Sequence, residues 1–218
     1  MSETTARSRP NQVDTGRVHR GNRYRRSEEG RQAILHAADD LLLEKGFDGV
    51  TVEGIARRAG VGKQTIYRWW RTKAEVLLDA FLQDTLEDLD PADSGNLTAD
   101  LTDYLRRLGR YLGETDQGVV FRTLMARAQL DPEFARAFRA RCLDPQRERA
   151  VAMMQRWIDH GMLPPDTDLV DELEQLTSPY FHRVLVDGRP IDAELADRLV
   201  HGFLVRHGHR ATMGPVGG

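Results

Sequence analysis

The chain has 218 residues, 40% hydrophobic and 30% charged. That length allows one or two domains with a real buried core, so no disulfide or metal staple is required. Its 31 Lys and Arg against 34 Asp and Glu, net −3, exclude a uniformly basic coating protein and a highly charged disordered chain. A single cysteine, Cys142, excludes an intrachain disulfide and a cysteine-based zinc site, and suits a reducing, cytoplasmic setting. No run of about 18 apolar residues exists, and the first 26 residues carry no apolar leader core, so neither a membrane span nor a secretory signal is expected.

The charge is uneven. Residues 1–75 carry 15 basic and 10 acidic side chains, and residues 76–218 carry 16 and 24. A basic head of net +5 on an acidic body of net −8 suggests that one end meets a polyanion. Residues 1–26, with seven Arg and almost no large apolar side chains, predict a flexible basic arm. Ser27 then reads as the cap of a first helix, with Glu28 and Glu29 at its positive end. Ile34, Ala37, Ala38, Leu41 and Leu42 give that helix one apolar face, and Gly46 its stop. Thr51 caps a short second helix with Val52, Ile55 and Ala56 inward. Gly60-Val61-Gly62 is a tight turn. A third short helix follows from Lys63 to Trp70, with Ile66 inward. Thr72 and Glu75 have capping-box spacing and open a longer helix through Leu89.

Residues 91–96 read as a linker. Helices are then expected over 97–112, 117–130, 145–160, 168–186 and 192–207. Asp131-Pro132 and Asp144-Pro145 each place a cap before a proline at the first helical position. Pro179 is expected to kink the helix that contains it. No alternating apolar run supports a strand. The fold class is all-α, with a helix-turn-helix head over 27–75, a helical body over 76–210 and a disordered tail over 211–218.

Two short helices joined by a glycine turn form a helix-turn-helix pattern. A major groove about 12 Å wide admits one helix, packed from behind and polar in front. Lys63, Gln64, Thr65, Tyr67, Arg68 and Trp69 supply that front, while Trp70 reads as core. Lys and Arg suit guanine edges and Gln suits adenine, whereas hydroxyls suit phosphate oxygens. Gly60-Val61-Gly62-Lys63-Gln64-Thr65 lacks the spacing and preceding strand of a phosphate loop. No metal spacing and no nucleophile motif occur, so no cofactor, metal or enzymatic activity is expected.

The run from Thr51 to Leu78, TVEGIARRAGVGKQTIYRWWRTKAEVLL, resembles the helix-turn-helix signature of TetR-type transcriptional regulators. The resemblance is dense over about residues 28–80 and only a matching helical layout beyond. It implies a homodimer that represses by binding a palindromic double-stranded operator and releases it when a small molecule occupies the body. It also implies phosphate contacts for Thr51 and Lys73, recognition-helix positions at Lys63, Gln64, Thr65 and Tyr67, and a backbone-flanking aromatic at Trp69. Two departures stand out: Gly62 where many members have a serine cap, and Glu53 where some have a base-contacting arginine.

Body helices exceed what a DNA-reading head needs, and bundles hold ligands between helices. Phe121, Met125, Met154, Trp157, Tyr180 and Phe181 are candidate lining for an effector pocket, with ordinary core as the competing reading for each. Leu173, Leu176, Leu195, Leu199 and Phe203 on the last two helices are candidates for the four-helix dimer interface that the family implies. The alternative function is a nonspecific nucleic-acid binder whose body only dimerises.

Overall fold

The computed structural model describes residues 16–84 and 89–209, with side chains over 27–83 and 89–209. Among the described residues there are ten α-helices: α1 Gly16–Gly49, α2 Val52–Ala59, α3 Lys63–Trp69, α4 Lys73–Asp84, α5 Leu97–Glu114, α6 Asp116–Leu130, α7 Pro132–Phe138, α8 Asp144–Asp159, α9 Leu169–Phe181 and α10 Leu195–Arg206. Among the described residues there is no strand, and no helix is long and apolar enough to cross a membrane.

The head packs α1 against α2, α3 and α4. Ile34, Leu35, Ala38, Leu41 and Leu42 of α1 are buried against Ile55, Ile66 and Leu77 of the other three. Gly46 breaks the end of α1 at φ +66°, and Gly60 closes α2 at φ +67°, both left-handed angles that glycine adopts freely. α1 starts at Gly16, so Ser27 lies inside the helix and not at its cap. Extending an existing helix closes one backbone bond per residue, and no proline interrupts 16–26. Of the arm expected over 1–26, residues 1–15 lie outside the described residues, as does the tail over 211–218. The helix expected through Leu89 is described to Asp84.

In the body, α5 packs against α6, α8, α9 and α10. Its inward face is the expected one: Leu101, Leu105, Leu108 and Leu112 are all buried. Asp131 caps α7 through the Glu133 and Phe134 amides, and Asp168 caps α9 through those of Val170 and Asp171. Asp144 does not act as a cap. α7 runs into α8 through a π-helical turn, Arg139–Leu143, in which the Asp144 amide reaches back to the Arg139 carbonyl. Pro145 has no N–H to offer Arg141, so α-helical pairing cannot run through this point. Asp144 pairs instead with Arg147 at 2.6 Å. Pro179 lies inside α9, which runs on as α-helix to Phe181 and then continues as a second π turn, His182–Asp187.

The linker is clamped. Asp100 is 2% exposed and accepts from the Ser94 amide at 3.1 Å and its hydroxyl at 2.6 Å. Arg156 stands 3.6 Å from the same carboxylate and donates to the Ala92 carbonyl at 2.7 Å. Asp100→Ala takes the carboxylate acceptor from the Ser94 amide and hydroxyl, and is expected to cost about 2 kcal/mol in chemical denaturation. A loss below about 1 kcal/mol would show that the clamp contributes little.

Candidate nucleic-acid interface

Thr51 sets up the reading head. Its Oγ1 accepts from the Gly54 amide at 3.0 Å, satisfying one of the first-turn N–H groups of α2. The hydroxyl proton remains available to a phosphate. The turn at Gly60 then swings the chain into α3. Gly62 caps α3 with no side-chain bond, as its missing hydroxyl predicts. The first-turn N–H groups of α3 are therefore not answered by a cap side chain.

α3 is anchored at two points. Ile66 is 1% exposed, and Trp70, just past its end, is 4% exposed. Everything expected in front stays at or near the surface. Lys63, Gln64, Arg68 and Trp69 are exposed, Thr65 is half-buried, and Tyr67 is 53% exposed. The Arg68 guanidinium lies over the Trp69 ring, 5.8 Å from its centre. This orders two long side chains on one edge of the helix.

Two features were not expected from the sequence. Glu53, in the first turn of α2, pairs with Lys63 at 2.9 Å. Hydrogen bonding to Lys63 lowers the Glu53 pKa, and the same contact raises that of Lys63, so both stay charged across the neutral range. Lys63 is thus held in an ion pair across the α2–α3 turn. No spacing rule links these residues, because only the α2–α3 turn brings them together. Lys73 also differs from expectation. Its Nζ donates to the Phe47 carbonyl at 2.7 Å and sits 4.6 Å from the centre of the Phe47 ring. Burial lowers its pKa. Its first structural role is to hold the end of α1. Thr72 and Glu75 form the expected box with one offset: Thr72 accepts from the Glu75 amide, and Glu75 accepts from the Arg71 amide.

The head is matched by known proteins. Residues 34–80 match the bacterial regulatory proteins, tetR family, and residues 91–202 match the tetracyclin repressor-like C-terminal domain. The chain belongs to the TetR family. This TetR-family protein is therefore a DNA-binding transcriptional regulator, and its relatives are regulators, not enzymes. It is 37% identical over 179 residues to YdeS, an uncharacterized HTH-type transcriptional regulator of Bacillus subtilis; the match covers 82% of this chain and 90% of that one. It is 29% identical over 189 residues to a DNA-binding transcriptional repressor TetR of Mycobacteroides abscessus, covering 83% and 94%. The solved TetR family transcription regulator SCO0332 superposes with a TM-score of 0.69 at 32% identity, covering 81% of this chain and 97% of that one.

In the body of this regulator, a cleft of about 370 Å³ opens between α5, Tyr180 of α9 and the connection into α10. Tyr180 and Ile191 lie on the bare backbone of Gly109, where a Cβ would stand 3.0 and 3.1 Å from them. The Tyr180 hydroxyl is buried with no hydrogen-bond partner among the described residues, and burial raises its pKa, so it stays protonated. The charges around it answer one another. Arg106 pairs with Asp197 at 2.8 Å, and Asp192 pairs with Arg198 and Arg183, which together hold its carboxyl at about 2.

Of the six expected pocket residues, Tyr180 alone lines this cleft. Phe121 is buried among Phe81, Tyr111, Phe138 and Phe181, and Met154 and Trp157 are fully buried. Met125 and Phe181 pack against the same core. The expected dimer residues also turn inward. Leu173, Leu176, Leu195 and Phe203 are buried within one chain, because α9 and α10 lay those faces on α5 and α8. Leu199 is half-buried. A repeating leucine face marks a buried face without saying which neighbour buries it.

Proposed function

We propose that this regulator is a homodimeric repressor that reads a palindromic operator through α3 and releases it when a small molecule binds the body. The observation that carries the DNA-reading part is the division of α3. Ile66 and the adjoining Trp70 are buried, while Lys63, Gln64, Tyr67 and Arg68 remain exposed on a short helix. Dimerisation would use the outward faces of the last two helices. Val170, Glu174 and Ser178 stand exposed on α9, and Arg198, His201 and Val205 on α10. Val170 is 40% exposed and Val205 57%, apolar surface that a second copy would cover. The cleft at Tyr180 is the proposed effector site.

Selection of binding sites from random duplex DNA tests the reading. The expected product is an inverted repeat whose half-site centres lie about one helical turn, or a multiple, apart. Affinity for it should fall with salt, with a slope of about −0.9 per phosphate neutralised. Equal retention of all sequences would replace this reading with nonspecific nucleic-acid binding.

A further inference from the structure

Among the contacts between the head and the body is a carboxylate that the DNA-reading surface does not use. Asp79, in the middle of α4, is largely enclosed, with its side chain 17% exposed. Its Oδ2 accepts from the Trp70 indole Nε1–H at 2.8 Å, and its Oδ1 accepts from Arg141 Nη2 at 2.5 Å. Trp70 ends the recognition helix, where its own amide closes the last turn on the Ile66 carbonyl at 3.0 Å. Arg141 belongs to the π turn between α7 and α8. Trp70 and Arg141 make no direct hydrogen bond or ion pair with each other among the described residues. Each oxygen of Asp79 thus serves a different part of the molecule.

We infer that Asp79 is a positioning residue for DNA reading: it fixes the end of α3 against the body and passes displacement of the Arg141 turn to the recognition helix. Three physical points support this. The Trp70 ring is buried, so its N–H has no water to fall back on and its position depends on Asp79. The Arg141–Asp79 bond is charge-assisted and short, hence stiff in direction. The π turn that carries Arg141 is the place where Pro145 interrupts α-helical pairing, and such turns recur at functional sites in helices. The inference rests on the assignment of α3 as the reading helix.

The test is a double-mutant cycle on the full-length protein with Trp70→Phe and Arg141→Gln. Affinity is measured for the duplex that the wild-type protein selects from random DNA, and in parallel for poly(dI-dC). Arg141 is 45% exposed and phenylalanine keeps most of the Trp70 packing, so both variants should fold; melting curves check this. Each single change is expected to weaken binding to the selected site about tenfold and to leave binding to poly(dI-dC) within about twofold. The double variant should be no weaker than about tenfold, because one relay is cut either way. Asp79→Asn keeps an acceptor for Trp70 and loses the charge that holds Arg141, so it should match Arg141→Gln. If Trp70→Phe proves unstable, the cycle is run between Asp79→Asn and Arg141→Gln with the same expectation. A double variant about a hundredfold weaker would overturn the inference, since independent sites multiply. So would equal loss on both DNAs, or single variants that bind as the wild type does. Failure of the wild type to select any sequence would overturn the α3 assignment and this inference together.

Discussion

Gly118→Ala is expected to destabilise the protein by about 3 kcal/mol or more, read as a lowered midpoint in urea. A Cβ at this position would stand 1.9 Å from the Tyr111 carbonyl oxygen. That oxygen is backbone near the end of α5 and cannot rotate away. It is also committed, accepting from the Thr115 hydroxyl at 2.8 Å, while Thr115 Oγ1 accepts from the Gly118 amide at 2.9 Å. Relief would require opening the corner between α5 and α6 and losing both bonds. Gly113→Ala provides the control. Its Cβ would meet nothing closer than the Ile191 Cδ1 at 3.9 Å, and alanine favours a helix by up to about 1 kcal/mol. A Gly118→Ala protein as stable as the wild type would show that this corner is looser than its geometry implies.

Tyr67→Ala should produce the largest single loss on the DNA side. The side chain is 53% exposed and lies on the outer side of α3, so its removal leaves the core untouched. A hydrogen bond to a charged phosphate contributes about 1.5–3 kcal/mol, which predicts a loss of roughly ten- to a hundredfold in affinity with the melting temperature and oligomeric state unchanged. Because phosphate contacts set register without reading bases, the preferred sequence should survive. Gln64→Ala should do the reverse. It should flatten the preference at one position of each half-site, at a cost of about 1–3 kcal/mol if the contact is bidentate. Unaltered affinity in Tyr67→Ala, measured by titration of the selected duplex, would remove α3 from the groove. Lys73 is a poorer probe, since its bond to the Phe47 carbonyl mixes a folding role with any contact to DNA.

Both expectations draw on different depths of structure. The face of α3 was legible because a seven-residue helix with one large aliphatic inward position has few ways to pack. Ile66 alone fixes which side is hidden. The surroundings of the residues expected at a pocket and a dimer interface were less legible for a related reason. Phe121, Met154 and Trp157, like Leu173 and Phe203, announce burial, and several neighbours in a bundle can satisfy that demand equally well. Only the placement of α9 and α10 on α5 and α8 shows that one chain already buries them.

Local order was thus set by near neighbours along the chain. The all-α class, the caps at Thr51, Asp131 and Asp168, the glycine turn before α3 and the inward leucines of α5 depend on bonds and periods spanning a few residues. Sequence proximity alone can specify those. The tertiary structure decided the rest. It tied Lys63 to Glu53 and brought Arg141 and Trp70 to the two oxygens of Asp79. Those contacts join groups whose meeting depends on how whole helices pack, and no short-range pattern encodes that geometry.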